Sequence, residues 1–216
     1  MRYLNKIVFI NSAAIRYSEV QLDGNIHLIG TQGVGKSTIL RAILFFYNAD
    51  TQRLGIPVEK KSYQDYYFPY ADSSIIYEVA REDGWFTVLS YKTMNRICYR
   101  FIASPYRPDL FIDEEGAPYP SDRIRSVLDK NGIKYSGAIS TYEEYRNILY
   151  GNSDNKRDYS CYSLMESGSY QNIIRTIQNV LLNSRLEADY IKQTIITSLN
   201  EADSVIDLSR YRSHLS

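Results

Sequence analysis

The run Gly30-Thr31-Gln32-Gly33-Val34-Gly35-Lys36-Ser37 constrains this chain more than any other feature in it. Glycine at 30, 33 and 35 allows left-handed backbone turns that press successive N–H groups against an anion. Before the run, Asn25-Ile26-His27-Leu28-Ile29 is apolar and strand-like. After it, apolar residues at 39, 40, 43, 44, 46 and 47 follow helical spacing up to Asn48. Strand, glycine loop, helix is the context in which this pattern cradles the phosphates of a nucleoside triphosphate. A helix opening near Lys36 turns its positive dipole end toward them. The Lys36 ammonium is suited to the β- and γ-phosphates and is the candidate catalytic residue, and the Ser37 hydroxyl is suited to ligate magnesium. The next hydroxyl, Thr38, is placed to reach the α-phosphate. The expected nucleotide-binding set is therefore Gly30, Thr31, Gln32, Gly33, Val34, Gly35, Lys36, Ser37 and Thr38, with Mg2+ on Ser37.

Around this loop the pattern predicts an α/β chain. Ile7 to Ile10 and Tyr17 to Leu22 read as strands, and Asp23-Gly24 as a turn into residues 25–29. Residues 50–72 read as an irregular surface loop over the nucleotide, rich in tyrosine from Tyr63 to Tyr70. Ile75 to Ala80 and Phe86 to Tyr91 flank Asp83-Gly84, a hairpin signal, and Ile97 to Ile102 continues an antiparallel meander. Helices are expected from Ser121 to about Lys130, ended by Asn131-Gly132, and from the capping box Thr141-Tyr142-Glu143-Glu144 to Gly151. Two more are expected beyond Tyr170. This divides the chain into a nucleotide-binding lobe at 1–120 and a helical part at 121–216.

Phosphate binding does not by itself give hydrolysis, which also needs an aspartate on magnesium and a group that orients water. Leu110-Phe111-Ile112-Asp113-Glu114 offers an apolar run ending in acids. That run is short, follows Pro105 and Pro108, and leads into Glu115-Gly116, so an exposed acidic turn is the stronger expectation. Composition narrows the remaining choices. Lys plus Arg and Asp plus Glu both total 25, so no global basic excess serves nucleic-acid binding. Cys98 and Cys161 are isolated, as are His27 and His214, and no neighbours assemble a metal-ligand cluster. The N-terminus does not read as a targeting peptide and no stretch has membrane-spanning length, so a cytoplasmic location is expected. The 21 tyrosines against 7 phenylalanines suit half-buried strands and interfaces.

The order of elements before the glycine loop resembles the N-terminal head of SMC-like and RecF-like ATPases of the ABC class. The resemblance rests on Lys6-Ile7-Val8-Phe9-Ile10-Asn11, Gln21-Leu22-Asp23, Ile26-His27-Leu28-Ile29-Gly30 and the helix Thr38 to Phe45. It is closest to the MukB-like branch that includes the JetC subunit of Wadjet-type plasmid defence. Supporting segments there are Lys61 to Pro69, Ile76-Tyr77-Glu78-Val79, Ile139 to Tyr142 and Leu164 to Gly168.

The resemblance implies a P-loop NTPase head lobe of ABC type: a mixed sheet with an antiparallel N-terminal ribbon and a helical C-terminal part. It implies ATP with Mg2+ as the ligand. The chain is then expected to be the N-terminal half of a split head. A coiled coil and a C-terminal half would follow, carrying the signature motif and Walker B. Implied partners are that C-terminal half, a second head in a homodimer, kleisin-type and accessory subunits, and DNA through the assembled complex, with no membrane. The magnesium-contacting glutamine of such heads has no counterpart here, since no Gln lies between Gln64 and Gln171. Two alternatives stand beside the half-head: a self-contained NTPase using Asp113 and Glu114, and a nucleotide-gated assembly module without hydrolysis.

Overall fold

The computed structural model describes residues 2–23, 35–48, 62–94, 96–151 and 159–164. Five strands form one antiparallel sheet in the order β2-β1-β3-β4-β5: β1 Tyr3–Ser12, β2 Ile15–Gln21, β3 Ser74–Arg81, β4 Gly84–Thr93 and β5 Arg96–Ile102. Four helices accompany it: α1 Lys36–Asn48, α2 Tyr63–Tyr67, α3 Ser121–Lys130 and α4 Tyr142–Leu149. All the described residues fall within one contact unit, residues 1–170.

The β3–β4 hairpin turns where Asp83-Gly84 predicts it. Gly84 has φ +143°, a conformation L residues rarely adopt, and Arg81 pairs with Gly84 across the turn. Every residue of β3 except Arg81 is buried. The sheet is covered on both faces here, which is why the segment reads as a continuous apolar run without alternation. Ile7, Tyr77 and Val88 align across the three central strands on one face; Val8, Ile76 and Leu89 align on the other.

On the Val8 face, Ile124 and Leu128 of α3 pack with Leu110, Phe111 and Tyr106 against Val8, Ile76 and Leu89. A carboxylate lies among them. Glu78 is 6% exposed and accepts from Asn5 Nδ2 at 2.7 Å and from the Tyr106 backbone N–H at 2.7 Å. Asn5 sits where the β1–β3 register shifts between Leu4 and Lys6. Both carboxylate oxygens are thereby satisfied, which allows a glutamate inside a buried strand.

The Ile7 face is filled by aromatic rings. Phe45 of α1 stacks on Tyr63 at 4.4 Å and Tyr63 on Tyr67 at 4.2 Å. Phe46 meets Tyr77 at 5.0 Å, while Tyr145 of α4 lies 4.3 Å from Tyr99 and 5.6 Å from Phe101. Helix α4 starts as expected, with Thr141 Oγ1 accepting the Glu144 N–H at 3.3 Å. Gly151, at φ +70°, follows its end. Helix α3 begins at Ser121, one residue earlier than a Ser121 cap would give. Pro120 is its N-cap, with no side-chain hydrogen bond.

The irregular loop expected at 50–72 is corrected at its end, where residues 63–67 are helical. Ser62 Oγ accepts the Asp65 N–H at 3.1 Å and starts α2. Residues 49–61 lie outside the described residues, as do the expected strand at 25–29 and the helices beyond Tyr170.

Burial pushes the Tyr63, Tyr77 and Tyr145 hydroxyls well above the ordinary value of 10.0, and Tyr47 up to about 12. Raised pKa values mean that the folded state favours the neutral phenol. The stability they contribute is present below the unfolded value near 10 and is lost as pH rises through the folded values. Each such group removes about 1.4 kcal/mol per pH unit in that window. Tyrosinate absorbance and far-UV circular dichroism should therefore change together above about pH 10. Complete tyrosine ionisation without loss of secondary structure would contradict this burial.

Candidate functional site

Helix α1 begins at Lys36, directly after Gly35, whose φ is +88°. A Cβ added at Gly35 would meet nothing within 4 Å, so backbone conformation, not crowding, calls for glycine there. The first helical hydrogen bond runs from Ile39 N–H to Gly35 O at 3.1 Å. By helix geometry the N–H groups of the preceding turn, at residues 36–38, point out of the helix end. Ser37 is exposed, Lys36 half-buried and Thr38 buried. Gly30, Thr31, Gln32, Gly33 and Val34 lie outside the described residues.

Four tyrosine hydroxyls hold α1 on the sheet by donating to its carbonyls. Tyr67 bonds Thr38 O at 2.7 Å, Tyr77 bonds Ala42 O at 3.0 Å, Tyr145 bonds Phe46 O at 2.7 Å and Tyr150 bonds Tyr47 O at 2.6 Å. Thr38, Ala42 and Phe46 are four residues apart and so form one stripe of the helix. The carbonyls of Thr38 and Ala42 accept through their second lone pair, and those of Phe46 and Tyr47 lie in the last turn of α1 as described. Phenylalanine fills the same layer but cannot make these bonds. This is one physical reason why the chain uses so much tyrosine.

Helix α2 closes over the start of α1. The Tyr66 and Thr38 hydroxyls share a 3.1 Å hydrogen bond. Burial pushes the Tyr67 hydroxyl up, opposed by the Arg41 guanidinium nearby, so it stays a donor to Thr38 O. The carbonyl of Tyr67 in turn accepts from Ser12 Oγ at 2.8 Å and from Ala13 N–H at 3.4 Å, in the β1–β2 turn. Asp65 pairs with Lys92 of β4 at 3.1 Å. The first turn of α1, α2 and the β1–β2 turn are thus wired into one wall.

That turn carries strain. Ala13 has φ +54° and Asn11 φ +43°, left-handed values outside glycine. Asn11 Nδ2 donates to Asp72 Oδ2 at 2.9 Å, and Ser73 Oγ donates to Asn11 O at 2.5 Å. A cavity of about 450 Å3 opens here, lined by Asn11, residues 13–16, Tyr70 and Asp72. Residue pattern does not single out Tyr66, Ser12 or Ala13. The one legible signal is Ser62-Tyr63-Gln64-Asp65, a helix-start spacing inside the tyrosine tract.

Asp113 lies elsewhere. Its Oδ1 accepts the Glu115 N–H at 3.0 Å and the Ala117 N–H at 2.7 Å, closing a surface turn between Ile112 and Pro118. Phe111, two residues earlier, packs on the Val8 face, opposite the face that carries α1. Glu114 is exposed. Among the described residues no group of three His, Cys, Asp or Glu could hold a metal ion, and no helix is long and apolar enough to cross a membrane.

Among the described residues the chain is an antiparallel five-stranded sheet with helices on both faces, one of which begins directly after a glycine. The chain belongs to the family described as "Protein of unknown function (DUF3584)", whose model matches residues 12–214. No curated protein and no solved structure matches it.

Proposed function

We propose that this chain is a cytoplasmic ATP-binding half-head of an SMC-like, DNA-acting ATPase. The observation that carries this is the junction at Gly35. A sequence with all the residues of a phosphate-binding loop runs into a helix whose first residue is its lysine, through a glycine at φ +88°.

The donor set suits a triphosphate with magnesium. The first-turn N–H groups and the helix dipole favour an anion, Lys36 adds a mobile charge, and the exposed Ser37 hydroxyl is a hard oxygen ligand for Mg2+. Ser37 would hold Mg2+, which would supply positive charge to offset that of the phosphates. Lys36 would orient the terminal phosphates, and the four tyrosine bonds to α1 would keep its first turn aimed at them. Hydrolysis would need a signature motif and a Walker B carboxylate from outside this chain. ATP would then sit between two heads, and its turnover would release them and drive DNA capture or translocation. The self-contained alternative is disfavoured because Asp113 is engaged in its own turn and lies beyond the sheet from α1.

The 216-residue chain is expected to bind Mg-ATP yet turn it over negligibly, with activity appearing when a C-terminal half is supplied. Phosphate release by the chain alone, abolished by Asp113→Ala, would overturn the half-head.

A further inference from the structure

We propose that the row Tyr3, Ala80 and Trp85, at the end of the sheet where β3 turns into β4, is a docking slot for a proline in an extended, basic segment of a partner protein. The slot lies at the opposite end of β1 from the β1–β2 turn and does not depend on the nucleotide reading above.

Register builds the slot. Tyr3 pairs with Ala80 and Ala80 with Trp85, so the three stand in one row across β1, β3 and β4. Ala80 alternates in step with Ile76 and Glu78, which puts the row on the Val8 face. Side chains stand roughly perpendicular to a sheet, so two aromatic rings wall a floor made by one methyl group. Strands about 4.8 Å apart set the roots of those walls roughly 10 Å from one another. Ala80 is 6% exposed, whereas Tyr3 is 38% and Trp85 45% exposed. A single exposed aromatic residue is ordinary; two that flank one small residue form a shaped apolar surface.

The shape suits a proline. A guest in van der Waals contact with both rings spans about 7–8 Å between them. A puckered pyrrolidine ring is closer to that thickness than a flat ring is. The polyproline II segment that carries it is pre-ordered, with its carbonyls unbonded. The Trp85 indole N–H and the Tyr3 hydroxyl are donors for such carbonyls.

Charge beside the slot selects the flank of the guest. Glu82 and Asp83 form the turn next to Trp85, and their side chains are 61% and 68% exposed. Each pairs with an arginine, Glu82 with Arg2 at 3.6 Å and Asp83 with Arg81 at 3.0 Å. Those arginines are far less exposed and also donate inward, Arg2 to Ser163 O and Arg81 to Cys161 O. The groups that face solvent are therefore carboxylates, and a carboxylate accepts from more than one donor. An acidic rim favours lysine or arginine on the guest and opposes a nucleic-acid strand, whose bases would otherwise stack on the same rings. Polyproline II rises about 3.1 Å per residue, so a cation two or three residues from the bound proline reaches the scale of the step from Trp85 to Asp83.

Trp85 is the single tryptophan of the chain, so its emission reports the slot directly. The test titrates the full chain with a short proline-rich peptide carrying two arginines. Controls are the same peptide with glutamate for arginine, the same peptide with glycine for proline, and oligothymidylate. A saturable blue shift with the arginine peptide is expected, with binding at least about tenfold weaker for either altered peptide. Anisotropy of the labelled arginine peptide then reads the variants. W85A and Y3A are each expected to bind it about thirtyfold more weakly, as central aromatic anchors do. The double variant E82Q/D83N should bind it about tenfold more weakly and lose the salt dependence, with an unchanged circular dichroism spectrum. No saturable shift at millimolar arginine peptide, equal affinity for the glutamate peptide, or a shift given by oligothymidylate instead overturns the proposal. Undiminished peptide binding by both W85A and Y3A places the peptide elsewhere and overturns it as well.

Discussion

Lys36→Ala is expected to weaken Mg-ATP binding by roughly a hundredfold or more while leaving the fold intact. The side chain stands at the first position of α1, so its ammonium can reach oxygens that the first-turn N–H groups do not cover. A charge-assisted contact contributes about 1.5–3 kcal/mol, and an ammonium bridging two phosphates makes more than one. Removing it costs the helix little, since alanine has the highest helix propensity. Calorimetric titration with Mg-ATP, beside a urea unfolding curve, separates the two effects. Loss of affinity with an unchanged unfolding midpoint is the expected pair of results. Equal affinity in the variant would mean that the nucleotide, if bound, sits elsewhere.

The largest stability effect is expected at Tyr145. Its side chain is 1% exposed, lies against Tyr99 and Phe101, and donates to Phe46 O. Tyr145→Ala would open a cavity between α4, α1 and the sheet and leave a buried helix-end carbonyl without its donor. Truncating a buried aromatic ring costs about 3–5 kcal/mol, and the lost hydrogen bond adds about 1 kcal/mol. Domains of this kind are stabilised by about 5–15 kcal/mol in total, so the variant should be mostly or marginally unfolded at 37 °C. Tyr145→Phe isolates the hydroxyl and should cost only about 1 kcal/mol, read as a shift in urea midpoint with an unchanged slope. Near-equal losses in the two variants would show that the aromatic layer does not hold α1.

Much of this architecture is legible in the residues because local chemistry and global fold agree. Asp83-Gly84 sits between two apolar runs and turns β3 into β4; only glycine suits the φ of +143° found there. Thr141 and Glu144 announce α4 by spacing, and the run after Gly35 announces α1. Helix α2 is less legible. Its five residues are too few for a hydrophobic period, and its buried positions are tyrosines that also suit a loop.

The roles of the tyrosine hydroxyls are set by long-range packing. Tyr67, Tyr77, Tyr145 and Tyr150 come from α2, β3, α4 and the residue that ends it, yet all four donate to α1. No spacing along the chain encodes that convergence. Glu78 is opaque in the same way. In sequence it interrupts an apolar strand, and only the fold brings Asn5 and the Tyr106 N–H to its oxygens. For the candidate site, the glycine loop and its lysine are readable, whereas the wall made by Tyr66, Tyr67, Ser12 and Ala13 emerges only when α2 and the β1–β2 turn meet at Thr38.

The claim that residues 30–38 hold the phosphates of Mg-ATP is tested most directly by amide chemical shifts of the 15N-labelled chain during a Mg-ATP titration. Saturable shifts centred on the amides of Gly33, Gly35, Lys36, Ser37 and Thr38, absent in Lys36→Ala, are the predicted result. Saturable shifts that leave those amides unmoved and gather instead around Asn11, Tyr70 and Asp72, or no saturable shifts at all, would contradict it.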